Sequence, residues 1–251
     1  MQERQSFGIE IDGLTKKYQD VTAIDNLSLV INSGELFGLL GPNGSGKTTT
    51  INCLSGLVKP TKGRMRVAGF DVETETQRVR QLLGVSPQET AVYSYLSGRE
   101  NIELFGSLYS IPKDQLKQNM DYVIEKVGLA EDAKRRVGKY SGGMKRRVNM
   151  AMALVQDPKI VFLDEPTVTM DPQSRRATWD FIRELRTKGK TIILTTHYME
   201  EAEELCDRIG IIDHGKLIEL GTPAELKSKH GAKTLEDVFI NITGRRIREG
   251  A

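Results

Sequence analysis

Along the first 35 residues apolar positions tend to alternate with polar ones. From Phe7 to Glu35, short runs such as Ile9-Glu10-Ile11 and Leu27-Ser28-Leu29-Val30-Ile31 are separated by turn residues and stop at Ser33-Gly34. That is the pattern of half-buried strands in an antiparallel layer. The next run, Leu36-Phe37-Gly38-Leu39-Leu40, drops the alternation and leads through a glycine-rich stretch into a helical pattern beginning at Ile51. Strand, glycine loop and helix in that order predict the start of a parallel core. Two further apolar runs, Ile160-Val161-Phe162-Leu163 and Thr191-Ile192-Ile193-Leu194, each end in polar residues. The helix between them is predicted from Pro172 to about Lys188, with Asp171 as cap, Pro172 in the first turn and Gly189 at the stop. Ala177, Phe181, Ile182 and Leu185 are its predicted buried face. Between about Glu89 and Asp157 strand patterns vanish and helical periods take over, which predicts a helical subdomain set into the α/β core. A hairpin is predicted about Asp213-His214-Gly215-Lys216, and the chain ends in a basic, mobile tail.

Length and charge narrow what such a chain does. Its 251 residues suit one large domain with a subdomain grown from it, here residues 1–88 and 158–251 as core and 89–157 as the helical part. Lys and Arg number 36 against 34 Asp and Glu, so no global field recruits nucleic acid, and none is expected as a partner. Cys53 and Cys206 are far apart in sequence and read as reduced thiols of a cytosolic protein. The first residues lack the apolar core of a secretory signal, and no segment approaches the roughly 20 apolar residues that cross a bilayer. A soluble protein, or one peripheral to a membrane, is expected.

The chemistry begins at Gly41-Pro42-Asn43-Gly44-Ser45-Gly46-Lys47-Thr48, followed by Thr49, which matches the phosphate-binding pattern G-x-x-x-x-G-K-[ST] in the strand-to-helix context that the mechanism requires. Glycines at 44 and 46 let the backbone wrap a β-phosphate, and the N–H groups of the loop and of the helix N-terminus stabilise its charge. Lys47 is placed to reach the β- and γ-phosphates, and Thr48 offers a hydroxyl to Mg²⁺. Asp164 and Glu165 end a buried strand of the same core, where ligands of parallel sheets collect. Asp164 is expected to hold the Mg²⁺ shell through water, and Glu165 to orient and deprotonate the attacking water. Together these features predict an ATPase with ATP and Mg²⁺ as cofactors, on an α/β P-loop NTPase core with a parallel sheet, an N-terminal antiparallel β layer and an inserted helical subdomain.

One more segment sharpens this. Tyr140-Ser141-Gly142-Gly143-Met144 lies inside the helical subdomain, before the helical run from Lys145, and resembles the signature usually written LSGGQ. With it, nearly the whole chain resembles the nucleotide-binding subunit of an ATP-binding cassette (ABC) transporter. The resemblance implies that Ser141, Gly142 and Gly143 contact the γ-phosphate of ATP held by a second ATP-binding subunit, in a homodimer or a heterodimer. It implies that Tyr18 stacks on adenine, that Gln88 senses Mg²⁺ and the attacking water, that His197 contacts the γ-phosphate, and that Asp171 belongs to the nucleotide-contacting set. Thr169 and Met170 stand where the family usually has glycine and leucine, a departure that restricts the backbone if the position needs positive φ. The segment YSGGM with its basic followers and the ending TLEDVFINITGRR resemble ATPase subunits of ABC-2 type exporters. That implies an integral-membrane permease of ABC-2 type as partner, a location at the cytoplasmic face of the membrane, and a docking surface between Gln88 and Leu96. Rival readings are a soluble ABC ATPase acting on nucleic acid or ribosomes, and a nucleotide-gated subunit that barely turns over.

Overall fold

The computed structural model of the chain describes residues 7–244. In chain order the elements are β1 (Phe7–Tyr18), β2 (Val21–Asn32), β3 (Leu36–Leu40), α1 (Lys47–Leu54), β4 (Lys62–Val67), β5 (Phe70–Asp71), α2 (Thr76–Leu82), β6 (Leu83–Ser86), α3 (Gly98–Ser107), α4 (Lys113–Lys126), α5 (Gly142–Leu154), β7 (Ile160–Asp164), α6 (Pro172–Thr187), β8 (Thr191–Thr196), α7 (Met199–Leu205), β9 (Arg208–Asp213), β10 (Lys216–Gly221), α8 (Pro223–Lys229) and α9 (Leu235–Thr243). They fall into two compact units, one made from the chain up to Arg80 and from Thr191 onward, the other from Gln81 to Lys190.

In the first unit the predicted antiparallel layer is present, with strand order β2-β1-β4-β5. Ile9 pairs with Ile31 and Leu14 with Leu27, and all four are buried, so the alternation along β1 and β2 is the inner face of this layer. Strand β4 pairs with β1 on its other side, Ile9 against Val67 and Ile11 against Met65. Only Met65 and Val67 of β4 are buried, while Lys62, Arg64 and Arg66 face outward. The parallel part has β3 between β8 and β9, with Leu36 opposite Ile192, Leu40 opposite Thr196 and Phe37 opposite Arg208. Both β3 and β8 are buried at every position, which is why their sequences show runs rather than alternation. Three contacts fix the entry to β3: Gly34 N–H donates to Thr191 Oγ1 at 2.8 Å, Leu36 N–H to Asp207 Oδ2 at 2.9 Å, and Arg208 pairs with Glu35 at 3.2 Å. Strands β9 and β10 form the predicted hairpin, with His214 and Gly215 at φ of 47° and 77°, as a two-residue turn of this hand demands. Burial pushes the Cys53 thiol up to about 11 and the Cys206 thiol well above its usual value, which disfavours the reactive thiolate at both, and neither is in a disulfide.

In the second unit β6 runs parallel to β7, Leu83 opposite Ile160 and Ser86 opposite Leu163, and helices make up most of the rest. Helix α3 opens on a capping box: Glu100 N–H donates to Ser97 Oγ at 3.2 Å, and Ser97 N–H to Glu100 Oε2 at 2.7 Å. Helix α6 starts at Pro172 on the Asp171 cap, and Gly189 with φ of 78° closes it, both as predicted. Its buried face needs one correction. Phe181, Ile182 and Leu185 are buried as expected, but Ala177 is exposed, and Thr178 and Trp179 are buried instead. The line through Thr178, Ile182 and Leu185 is the centre of the stripe. A small side chain one position off that line does not reach the core, whereas the Trp179 ring does. The predicted basic tail from Arg245 onward lies outside the described residues.

Candidate functional site

In the first unit the phosphate loop begins where β3 and β8 end side by side. Gly41 N–H donates to the Thr196 carbonyl at 3.3 Å, which brings His197, the residue after β8, to the same strand end as the loop. Two neighbours brace the loop from behind. Gly215 N–H of the β9–β10 hairpin donates to the Ser45 carbonyl at 2.9 Å. Gly46, at φ of 110°, sits so close to the Ala23 carbonyl that an added Cβ would lie 2.6 Å from it. At Gly44 an added Cβ would meet nothing within 4 Å, so the loop is walled on one side and open on the other. Lys47 is 5% exposed, and its Nζ donates to the carbonyls of Gly41 at 2.8 Å and Pro42 at 3.1 Å. Ser45 Oγ is buried with no hydrogen-bond partner. An orphaned hydroxyl and an ammonium folded onto loop carbonyls, at the N-terminus of α1, fit a cradle for phosphate. Thr48 and Thr49 stand half-buried in the first turn of α1, Pro42 is half-buried and Asn43 exposed.

Tyr18 ends β1 with its ring 44% exposed and the Lys16 Nζ 4.8 Å from the ring centroid. The β1–β2 turn that it borders pairs Tyr18 with Val21, two residues before the Ala23 that touches Gly46. The Lys16 ammonium covers one face of that ring. His197 is 8% exposed, its ring 4.2 Å from that of Tyr198.

The second unit carries the two acidic residues. Asp164 is the last residue of β7, 1% exposed, and Glu165 follows it at 4%. Glu165 has φ of 50°, a strained value for a side chain of its size and one that is concentrated at functional turns. Because Ser86 lies opposite Leu163, the residues leaving β6 meet those leaving β7, and Gln88 Nε2 donates to Glu165 Oε2 at 3.2 Å. Sequence reasoning coupled these two residues only through the family resemblance. It missed Arg146 altogether, one basic residue among three at 145–147: its guanidinium is 7% exposed and donates to the Pro87 carbonyl at 3.1 Å and to the Gln88 carbonyl.

Ser141 caps α5, accepting from Met144 N–H at 3.2 Å, and Gly142 and Gly143 lie in the first turn of the helix, ahead of the run from Lys145. Asp171 caps α6 in the same way, Oδ1 accepting from Ser174 N–H at 2.9 Å, and the Ser174 side chain and backbone hold its carboxyl below the usual range. Between these caps Thr169 has φ of 67°, the positive value suspected from its replacement of glycine. Its Oγ1 would lie 3.2 Å from a Cβ added at Gly142, so the Thr169 loop packs on the first turn of α5. Met170 is buried, its sulfur accepting from Thr178 Oγ1 at 3.4 Å. In the expected docking segment Tyr93 is 57% exposed and Tyr95 88%, while the backbone is held by Val137 and Gly138 N–H groups donating to the Leu96 and Ser94 carbonyls, each at 2.9 Å.

The chain is similar to known proteins over most of its length. The family model described as ABC transporter matches residues 24–168. The linearmycin resistance ATP-binding protein LnrL of Bacillus subtilis is 43% identical over 96% of this chain and 76% of its own length. The doxorubicin resistance ATP-binding protein DrrA of Mycobacterium tuberculosis is 42% identical over 96% of this chain and 72% of its own. Among solved structures, an ATP-binding subunit of an ABC transporter superposes with a TM-score of 0.86 at 25% identity, covering 94% of this chain and 99% of that one. A dimeric post-hydrolysis state of an ATP-binding cassette with ADP and Pi superposes at 0.79, also at 25% identity, covering 85% of this chain and 98% of that one.

Proposed function

We propose that this chain, which belongs to the ABC transporter family, is the ATP-hydrolysing subunit of a drug-resistance-type exporter, working as a pair of ATP-binding chains on a separate ABC-2 type permease. Its ATPase character follows from the family. The observation that carries the hydrolytic assignment is the Gln88–Glu165 contact of 3.2 Å: a buried carboxylate held at a strand end by an amide is built to position and deprotonate water. Export is supported by relatives named for linearmycin and doxorubicin resistance. A separate channel is supported because, among the described residues, no helix is long and apolar enough to cross a membrane. Peripheral attachment at the cytoplasmic face then follows, with Tyr93 and Tyr95 in the docking surface.

In this reading Tyr18 stacks on adenine, and the loop from Gly41 to Thr49 holds the phosphates with Lys47 compensating their charge. Water attacks the γ-phosphorus, its proton passes to Glu165, and the bond to the ADP oxygen breaks. His197 contacts the γ-phosphate, and the Ser141-Gly142-Gly143 turn meets the γ-phosphate of ATP on the partner chain with its helix N-terminus. Mg²⁺ would be held by oxygens, the Thr48 hydroxyl, the Gln88 amide and, through water, the Asp164 carboxylate, a set suited to that ion. When bound, Mg²⁺ neutralises charge on the phosphate oxygens.

Thr169 sets a brake on this cycle. Left-handed backbone costs a side chain about 1–2 kcal/mol, and Thr169 sits against the turn that meets the partner's ATP. Thr169→Gly with Met170→Leu is expected to raise basal turnover, by up to about fivefold if about 1 kcal/mol of that strain appears in the barrier. Steady-state phosphate release checks it. An unchanged rate, or a fall, would mean that the loop is adapted to the residues it has.

The exporter assignment is tested in cells carrying Glu165→Gln in place of the wild-type chain. They are expected to retain more of the exported drug, with the protein in the membrane fraction. Unchanged retention across a panel of amphipathic antibiotics, with the chain sedimenting on ribosomes, would favour the soluble alternative.

A further inference from the structure

The path from the turn that opens α5 to the hydrolytic carboxylate runs through a side chain that the catalytic assignment does not use. Four residues after the first glycine of that turn, Arg146 is buried at 7% exposure, and one nitrogen of its guanidinium donates both to the Pro87 carbonyl at 3.1 Å and to the Gln88 carbonyl. One turn further on, Asn149 Nδ2 donates to the Pro87 carbonyl at 3.1 Å and to Ser86 Oγ at 3.3 Å. Pro87 and Gln88 are thus fastened to α5 by their backbone carbonyls and Ser86 by its hydroxyl, and Gln88 is the residue whose amide reaches Glu165 Oε2. Burying a guanidinium costs several kcal/mol unless it is matched by hydrogen bonds and countercharge. Here the bonds go to backbone carbonyls of one short segment, and the countercharge comes from the very carboxylates of the site. Burial lowers the Arg146 pKa, and Glu165 and Asp164 raise it again. A cation in this position does more than fill space: it fixes the one backbone stretch that aims Gln88.

We propose that Arg146 is a positioning residue for hydrolysis, a clamp that ties the Gln88 backbone to α5 and so couples the placement of the Ser141-Gly142-Gly143 turn to the aim of the Gln88 amide at Glu165. The proposal rests on the assignment of Glu165 as base. When the α5 turn engages nucleotide, any displacement along this helix is carried to Gln88 by two rigid bonds rather than by loop contacts. Lysine is a partial substitute: its ammonium can also donate to two carbonyls, but it sits on a flexible stem and lacks the planar guanidinium that fixes the direction of the Arg146 donor.

The test is a double-mutant cycle on the full chain. Misplacing a reacting group by about 1 Å costs up to about a hundredfold, so Arg146→Met is expected to lower kcat about tenfold while the KM for ATP stays within about twofold. Arg146→Lys should lie between it and wild type. Gln88→Ala should show a loss of similar size, and adding Arg146→Met or Arg146→Lys to it should cost no more than about a further twofold, since the clamp acts through the missing amide. Multiplied losses, a raised KM at unchanged kcat, or a slow Arg146→Met beside a Gln88→Ala at wild-type rate would each overturn the clamp. Because Arg146→Lys keeps the buried charge, its cycle decides the matter even if Arg146→Met is unstable. Failure of the underlying assignment looks different: there Glu165→Gln hydrolyses normally in a single turnover.

Discussion

Glu165→Gln is expected to cut ATP turnover by about a hundredfold to ten-thousandfold, the span of general base catalysis, while ATP affinity stays within about threefold. The substitution preserves shape, which matters because the side chain is 4% exposed and a smaller one would leave a cavity. It also preserves an oxygen to accept from Gln88 Nε2, now at 3.2 Å from Glu165 Oε2. What it removes is the proton acceptor. A neutral amide does leave the buried Arg146 cation with less countercharge, so a modest fall in thermal stability should accompany the change. Rapid-quench measurement of the first turnover separates the effects, because chemistry slows while nucleotide binding and its Mg²⁺ dependence persist. A normal first turnover would remove Glu165 from the role of base.

Lys47→Ala is expected to abolish detectable hydrolysis and also to weaken ATP binding, a pattern distinct from that of Glu165→Gln. The Lys47 ammonium is held by the Gly41 and Pro42 carbonyls at 2.8 and 3.1 Å, poised at the mouth of the loop. In the proposed site, phosphate would replace those carbonyls as its partner when nucleotide binds. Losing one preorganised charge at a developing oxyanion costs about a hundredfold to a thousandfold in rate. Here the same charge also offsets the phosphates in the ground state, so affinity falls too. Titration with a fluorescent ATP analogue and steady-state phosphate release read the two losses separately. Unchanged turnover would sink the assignment of the loop.

How much of this was legible depended on where the information sits. The phosphate loop is written in local sequence, because Gly44 and Gly46 sit at φ of 78° and 110°, where other side chains strain; only the close approach of Gly46 to the Ala23 carbonyl needs the fold. The Asp171 cap, the Gly189 stop and the His214-Gly215 turn are local in the same sense. Strand β4 was not read, since Lys62, Arg64 and Arg66 dominate its six residues and its two inward residues pair with β1, some 50 positions away. Trp179 lost to Ala177 in the predicted helix face because a window of residue types does not say how far each side chain reaches. Ser141 reads from the sequence as part of a motif at a helix N-terminus, and the structure makes it the cap of α5 with both glycines in the first turn. Arg146 gave no signal: buried cations look like exposed ones in a run of three, and only the fold shows that its partners are the carbonyls of Pro87 and Gln88.

The central claim is that each ATP is hydrolysed between the phosphate loop of one chain and the α5 turn of another. Its most direct test mixes two dead chains, Lys47→Ala with a broken loop and Ser141→Arg with a blocked turn. Ser141→Arg also loses the Met144 cap contact of 3.2 Å, which costs about 1 kcal/mol, so its folding is checked first by thermal melting. Each variant alone should hydrolyse nothing. In the mixed dimer the intact loop of the Ser141→Arg chain meets the intact turn of the Lys47→Ala chain, and one whole site returns. The account predicts that ATP trapping reappears on mixing, to at most one nucleotide per mixed dimer, together with slow phosphate release. If subunit exchange is confirmed and the mixture neither traps nor hydrolyses ATP, the shared site is contradicted.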